Sequence, residues 1–187
     1  MSDPVRRGGR FPDDAGRTVT WSIADGRRGR RWRWIVVDRR GTLVVSITLE
    51  TDPTGRFVRL ESAAAAGLLT LHAEADGSIH GNRVAERGVD HLTIEAPVPD
   101  GILVGGTSLG VAVLLGTISL PAGRVTLDVV EVFDDLGIRI ASATIREHED
   151  GGWEVRTNRL TRRAALDADG LPESGDRDAV GWPLEGS

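Results

Sequence analysis

The sequence predicts a mainly β fold, a single strongly bent antiparallel sheet or half-barrel with one or two short helices. Three observations predict it. Short runs alternate apolar and polar residues, as where Leu43, Val45, Ile47 and Leu49 interleave with Thr42, Ser46, Thr48 and Glu50. That is the two-residue period of a half-buried strand. Turn chemistry separates such runs at intervals of roughly ten residues. The stretch Gly101–Gly123, GILVGGTSLGVAVLLGTISLPAG, holds no charged side chain in a chain otherwise dense in Arg, Asp and Glu. The interior is therefore expected there.

Residues 1–17 are rich in Gly, Arg and Asp and read as an N-terminal arm. The β-rich domain spans 18–166. Residues 167–187 form a Gly-, Pro- and acid-rich tail that Trp182 and Pro183 are placed to dock back.

Within the domain, Thr18–Ile23 alternates Val19, Trp21 and Ile23 with Thr18, Thr20 and Ser22. After the basic turn Asp25–Arg31, Trp32–Asp38 alternates Trp with Arg. Ile35 and Val37 continue in the opposite phase, which predicts a strand buried on both sides. Phe57–Glu61 follows a turn at Pro53 and Gly55. Ser62–Gly67, with four alanines, suits a helical turn or a small-residue edge.

Gly67–Ala75 and Ile79–Val84 flank Asp76-Gly77, a hairpin signal. A three-residue loop, Asp76–Ser78, sets Ile79 opposite Ala75 on the face of Leu69 and Leu71. One residue of slip would turn Ser78 and His80 onto that face. His72 and His80 then share the other face, with Glu74 across from His80. His91–Ala96 is a further strand. In Arg124–Asp134 the apolar phase passes from Val125, Leu127 and Val129 to Val130 and Val132, which predicts a β-bulge. Leu136–Glu147 and Trp153–Thr157 close the sheet, and Thr161–Leu166 reads as a short helix.

The uncharged stretch admits three readings. As a membrane span it has the length, but Gly, Ser and Thr break the apolar run, and neither flank carries a basic cluster or aromatic belt. No membrane span is expected. As a nucleotide site, Ile102–Val104 is a strand, Gly105–Gly110 a phosphate turn and Thr107–Leu115 a helix. Asp134 then stands where a ribose-binding acid would. Against it, the spacing is GGxxxG rather than GxGxxG, and the Val-, Ile- and Thr-rich segment favours strand. The favoured reading is a buried strand. Leu109, Val111, Val113 and Leu115 lie on one face and Ala112 and Leu114 on the other, covered by protein or partly by an apolar ligand. The secondary structure of Thr107–Leu115 discriminates between the two.

Composition excludes several classes. There is no Cys, hence no disulfide, thiolate nucleophile or Cys-ligated zinc. A net charge of −5 disfavours a general nucleic-acid binder. The N-terminus lacks the apolar segment of a secretory signal, so a cytoplasmic protein is expected. All the basic residues are Arg, which reads as the codon usage of a GC-rich genome. His72, His80 and Glu74 on one face are the one candidate metal set, outweighed by a solvated polar face, so no metal and no cofactor are expected. Arg and Trp interleave at Arg31–Trp34, a pattern that can bind phosphates and stack bases. The alternative is Trp facing the core and Arg facing water, with Trp32 and Trp34 lining a cavity. No serine stands in a nucleophile elbow, and nothing gives a reason to assert catalysis.

The order of elements resembles the bacterial glycolipid-binding family, whose sheet is similar to that of the Lol-type lipoprotein carriers. The resemblance rests on Trp21, then Trp32–Leu49, LLTLHAEADGSIHG, DHLTI (Asp90–Ile94), GTSLGVAVLLGTISL and RVTLDVVEVFDDLGIRIASATI. It covers roughly residues 18–157. The family's Thr-Pro and Thr-Asn pairs and Pro-Ile-Arg-Arg run are replaced here by Thr107 and Thr117 alone. The resemblance implies non-catalytic binding of an apolar or amphipathic small molecule, such as a lipid or glycolipid, in a β-sheet cleft. The expected ligand contacts are Trp32, Trp34, Leu109, Val111, Val113 and Leu115. The rivals are a nucleotide-dependent enzyme using Gly105–Gly110 and an interaction module with no ligand.

Overall fold

The computed structural model describes residues 6–13, 15–105, 108–118, 123–159, 161–167, 169–172 and, for the backbone alone, 180–182. It is mainly β, with one helix among those residues. The elements in order are β1 (Arg6–Pro12), β2 (Thr18–Gly26), β3 (Gly29–Val37), β4 (Leu43–Thr51), β5 (Phe57–Ala64), β6 (Gly67–Ala73), β7 (Ile79–Ala85) and β8 (Gly88–Ile94). Then come β9 (Gly101–Val104), α1 (Ser108–Thr117), β10 (Arg124–Val132), β11 (Ile138–Glu147), β12 (Gly152–Arg156), β13 (Thr161–Ala165) and β14 (Val180–Trp182). The strands divide between two sheets and the chain into two compact units, one holding β1–β8 with β14, the other β9–β13 with α1.

The first unit is a nine-stranded sheet in the order β14-β1-β2-β3-β4-β5-β6-β7-β8, antiparallel throughout, in which β1–β8 form a meander and β14 adds beside β1. Local chemistry explains the meander. At Asp13–Arg17, Asp38–Thr42, Asp52–Arg56 and Glu74–Ser78, the first residue's N–H donates to the fifth residue's carbonyl. The fourth residue, a Gly, donates back to the first. Gly16, Gly41, Gly55 and Gly77 hold φ between 71° and 87°, a left-handed conformation in which Gly carries no Cβ penalty. In the loops that begin with Asp, its Oδ1 also accepts from backbone N–H groups, as Asp52 does from Thr54 and Arg56.

Residues 6–12, expected within an arm, form β1. Gly9 lies opposite Trp21, and a Cβ there would stand 2.9 Å from Trp21 Nε1. The glycines that look like disorder in the sequence make room for an indole. β3 alternates cleanly, with Trp32, Trp34 and Val36 buried and Arg31, Arg33 and Ile35 exposed, so it is covered on one face, not two. A register shift at Val36/Val37 turns Leu43 outward, away from Val45, Ile47 and Leu49. Ala63 and Ala64 belong to β5, so the alanine run is strand and turn rather than helix. The β6–β7 loop spans Glu74–Ser78 and pairs Ile79 with Ala73, two residues from the expected Ala75. A two-residue shift keeps the face, so Ile79 is buried with Leu69 and Leu71.

The second unit has the order β13-β12-β11-β10-β9. β9 and β10 are parallel, with α1 in the connection between them. A parallel neighbour requires a crossover, usually helical. This is the main correction to the sequence reading: 108–117 is a helix, not a strand. Leu109–Leu115 are buried without exception. A helix apolar all round belongs inside, and there it satisfies its own backbone bonds. That burial overrides the weak β preference of Val and Thr. α1 is enclosed partly by Leu103, Val129, Ala143, Ile145, Val155 and Ala164, against which Val111, Leu114 and Leu115 pack.

β10 and β11 keep an unbroken register from Arg124↔Arg146 to Val132↔Ile138, so the expected bulge is absent. The phase change arises because Val129, Val130, Glu131 and Val132 are all buried, which places both faces of that strand end out of water. Residues 161–165 are strand β13, paired with β12 through Trp153↔Ala164 and Val155↔Arg162, not a helix. The β14 backbone pairs with β1 through Gly8↔Trp182, so Trp182 lies where a docking tail was expected. Pro183 lies outside the described residues.

Candidate functional site

The inner face of the first unit reads as cross-strand rows. One runs Gly9, Trp21, Trp34, Ile47, Ser62, Leu69, Arg83, Asp90 across β1 to β8. Trp34, Ile47 and Leu69 are at most 2% exposed, Arg83 is half-buried and Asp90 is exposed. The neighbouring row runs Ile23, Trp32, Leu49, Leu60, Leu71, Gly81, Leu92. It too passes from fully buried residues to a half-buried Leu92. The apolar face is thus dry at its centre and meets water along β8, the end strand of the sheet. Arg83 and Asp90 pair there at 2.7 Å.

One group in this face is out of place chemically. Ser62 is fully buried between Ile47 and Leu69 on the neighbouring strands. Its Oγ has no hydrogen-bond partner among the described residues. Burying an unbonded hydroxyl costs roughly 1–3 kcal/mol. The sequence signal for it was present: Ser62 continues the phase of Leu60 in FVRLESAA and breaks an apolar alternation. Sequence reasoning passed over it because it treated Ser62–Gly67 as a separate small-residue element.

The predicted contacts fall in different units. Trp32 and Trp34 sit side by side in phase on β3, at 2% and 1% exposure. Leu109, Val111, Val113 and Leu115 are on α1 in the second unit and do not share one face as strand residues would. Val111 and Leu115 pack on the sheet of that unit, while Leu109 and Val113, one helical turn apart, are also buried. Two of the basic residues near the tryptophans are engaged. Arg30 bonds Asp25 at 2.6 Å and lies 5.5 Å from the Trp32 ring, and Arg31 pairs with Glu50 at 2.6 Å.

The turn after β9 has part of the geometry of a phosphate loop. Gly105 has φ 62°, and its N–H donates to Val132 O at 2.8 Å. Gly110 sits so close to β9 that a Cβ would stand 2.1 Å from Val104 O. Strand, turn and helix therefore follow one another over 101–117, as the nucleotide reading requires. Other requirements go unmet: Thr107 holds the middle glycine position of GxGxxG, and the sheet continues antiparallel from β10 to β13 with no second strand–helix unit among the described residues. Gly106 and Thr107 lie outside the described residues. Asp134, the candidate ribose acid, pairs with Arg17 at 3.2 Å.

His72, His80 and His91 lie on polar surface, while His148 is half-buried. His72 and His80 are directly opposed on the outer face, ring centroids 6.5 Å apart. Glu74 reaches His72 at 3.0 Å rather than lying across from His80. Among the described residues no three His, Cys, Asp or Glu are grouped to hold a metal ion, and no helix is long and apolar enough to cross a membrane. No family model, curated protein or solved structure matches the chain.

Proposed function

We propose that the protein binds an apolar or amphipathic small molecule, of the lipid or glycolipid class, on the inner face of its first unit, without catalysis. The observation that carries this reading is the gradient along the cross-strand rows. Trp34, Ile47 and Leu69 are dry, and the same face passes through half-buried Leu92 and Ile94 to water at β8. An apolar face that is buried at its centre and reaches water along one rim suits a chain-like ligand that enters from that rim. Trp32 and Trp34 remain in this proposal. Leu109, Val111, Val113 and Leu115 leave it, because helix α1 uses them for its own packing. The proposed setting is the cytoplasm, with no nucleic-acid partner.

Native mass spectrometry of the freshly purified protein tests the reading, with a thermal-shift panel of fatty acids, monoacylglycerols and glycolipids alongside it. A co-purified lipid, or a concentration-dependent rise in Tm with one class, is expected by linkage. Leu92→Asp, at the rim, is expected to weaken that shift while the protein stays folded. No lipid bound and no shift with any member would end the reading.

A nucleotide is the second reading. The order β9, turn, helix, with Gly110 packed on Val104 O, favours it. It ranks below the first because the parallel pair stands alone in an otherwise antiparallel sheet.

A further inference from the structure

We infer that Ser62 is the polar anchor of this site, and that the ligand is a neutral amphiphile that buries a hydroxyl, ester or amide group against it. The inference rests on the proposed binding face and specifies what enters it. Ser62 Oγ is at 0% residue exposure without a partner among the described residues. Buried hydroxyls are almost always bonded, so an orphan marks a water, a ligand or a functional constraint. Its row supplies no alternative partner. Ile47 and Leu69 flank it, and Trp34 lies beyond Ile47, about 10 Å from Ser62 at two strand spacings.

The charge pattern selects a neutral group. The nearest cation in the row is Arg83, also two strands away, and it is engaged by Asp90 at 2.7 Å. A carboxylate or phosphate at Ser62 would have one hydroxyl donor and no counter-ion, at a high desolvation cost. A hydroxyl or carbonyl oxygen needs one donor, which Ser62 has. A serine hydroxyl can also donate to the ligand or accept from it, so an alcohol and an ester both fit. A pure hydrocarbon would leave the hydroxyl unbonded. The ordering expected is neutral amphiphile over fatty acid over alkane, the reverse of a site with a free arginine.

The test uses the full chain and three probes of matched length: hexadecanol, palmitate and hexadecane, with monopalmitoylglycerol as the ester. Wild type is expected to bind the alcohol and the ester more tightly than palmitate. Ser62→Ala is expected to weaken the alcohol and ester by about five- to tenfold, the worth of one hydrogen bond in a dry site, and to leave hexadecane within twofold. Ser62→Ala removes only an unbonded oxygen, so the unliganded variant is expected to be at least as heat-stable as wild type, which certifies its fold. Wild type binding the alcohol with Ser62→Ala binding it equally well would overturn the anchor and leave the proposed function standing. Palmitate preferred over the alcohol would overturn the neutral-ligand assignment. None of the four probes binding wild type would remove the binding face itself, and the anchor with it.

Discussion

Glu131 and Arg139 oppose each other across β10 and β11, and the Glu131 side chain is only 3% exposed. Arg139 approaches within 2.5 Å, and Thr157 Oγ1 donates to the second carboxylate oxygen at 3.2 Å. Arg139 is held in turn by Asn158 at 2.7 Å and lies 5.4 Å from the Phe133 ring. A buried pair of this kind gains little over an apolar pair but is costly to break. Glu131→Ala is expected to lose about 3–5 kcal/mol, because Arg139 and Thr157 keep their donors and lose the acceptor. The double replacement Glu131→Leu with Arg139→Leu is expected to lose much less. Urea denaturation of Glu131→Leu, Arg139→Leu and their double, analysed as a mutant cycle with Glu131→Ala alongside, reads this difference.

Leu136 occupies a position that six other loops give to glycine. Gly16, Gly41, Gly55, Gly77, Gly151 and Gly170 hold φ from 71° to 87°, and Leu136 holds 65° in the loop closed by Phe133 N–H to Gly137 O. A left-handed backbone costs a residue with a Cβ roughly 1–2 kcal/mol. Leu136 is 1% exposed, and burying its side chain offsets that strain. Leu136→Gly is therefore expected to destabilise by about 1–3 kcal/mol, the cavity loss less the relieved strain. Gly41→Leu, at φ 81° with nothing within 4 Å of its added Cβ, has only the strain and no burial to gain. It is expected to lose about 1 kcal/mol or slightly more. Thermal denaturation of the two variants separates burial from backbone strain.

Four carboxylates are held below their ordinary values. Burial pushes Asp13 up from 3.8, but the Arg17 backbone N–H and guanidinium outweigh it and bring it down. The Thr54 hydroxyl and the Thr54 and Arg56 N–H groups lower Asp52, and the Ser78 hydroxyl and N–H lower Asp76. Arg163 lowers Glu154 from 4.5. A carboxylate depressed in the folded state contributes stability that is complete above its unfolded pKa and lost as pH falls through the folded one. The unfolding midpoint is therefore expected to hold flat down to about pH 5 and to fall below pH 4. Asp52→Ala and Asp76→Ala together lower the plateau and flatten the acid limb. A limb of unchanged steepness in that double variant would place the acid sensitivity elsewhere.

Most strands of the first unit were legible because each is encoded locally. The turns at Pro53–Gly55 and Asp76-Gly77 announce themselves in sequence, and the alternation over Val45–Glu50 fixes which face is wet, while Leu43 turns outward at the register shift. The Trp and Arg alternation at Arg31–Trp34 likewise resolves into indoles inside and guanidinium groups outside. What was illegible depends on partners distant in sequence. β1 looks like an arm because Gly9 accommodates Trp21 rather than packing a side chain of its own. β13 has the composition of a short helix, and only pairing with β12 makes it a strand. Helix α1 contains no polar face whose period could betray it, since Leu109–Leu115 are all buried. The burial of Trp32 and Trp34 on one face was legible from their phase, and that of Ser62 on the same face was not. The significance of Ser62 lies in an absent hydrogen bond, which only the fold reveals.

Gly110 offers the sharpest contrast between the two functional readings. In a dinucleotide fingerprint the last glycine permits close helix–strand packing, and Gly110 has that packing, with Val104 O at 2.1 Å from an added Cβ and Val104 C at 3.1 Å. The obstacle is backbone, so it has no side chain that can swing aside. Gly110→Ala must lift the start of α1 from β9 and is expected to destabilise by about 1–3 kcal/mol. If the role of this glycine is packing alone, the loss is the same with and without nucleotide, and NAD, NADP and ATP leave the wild-type Tm unchanged. If the turn holds a phosphate, wild type gains stability with one of them that rises with the logarithm of its concentration, and Gly110→Ala loses that gain along with its fold stability. The first pattern is expected, because Gly105 and Gly110 act on the β9–α1 junction while the binding face proposed lies in the other unit. A nucleotide-dependent rise in Tm, with no lipid giving one, would reverse the order of the two readings.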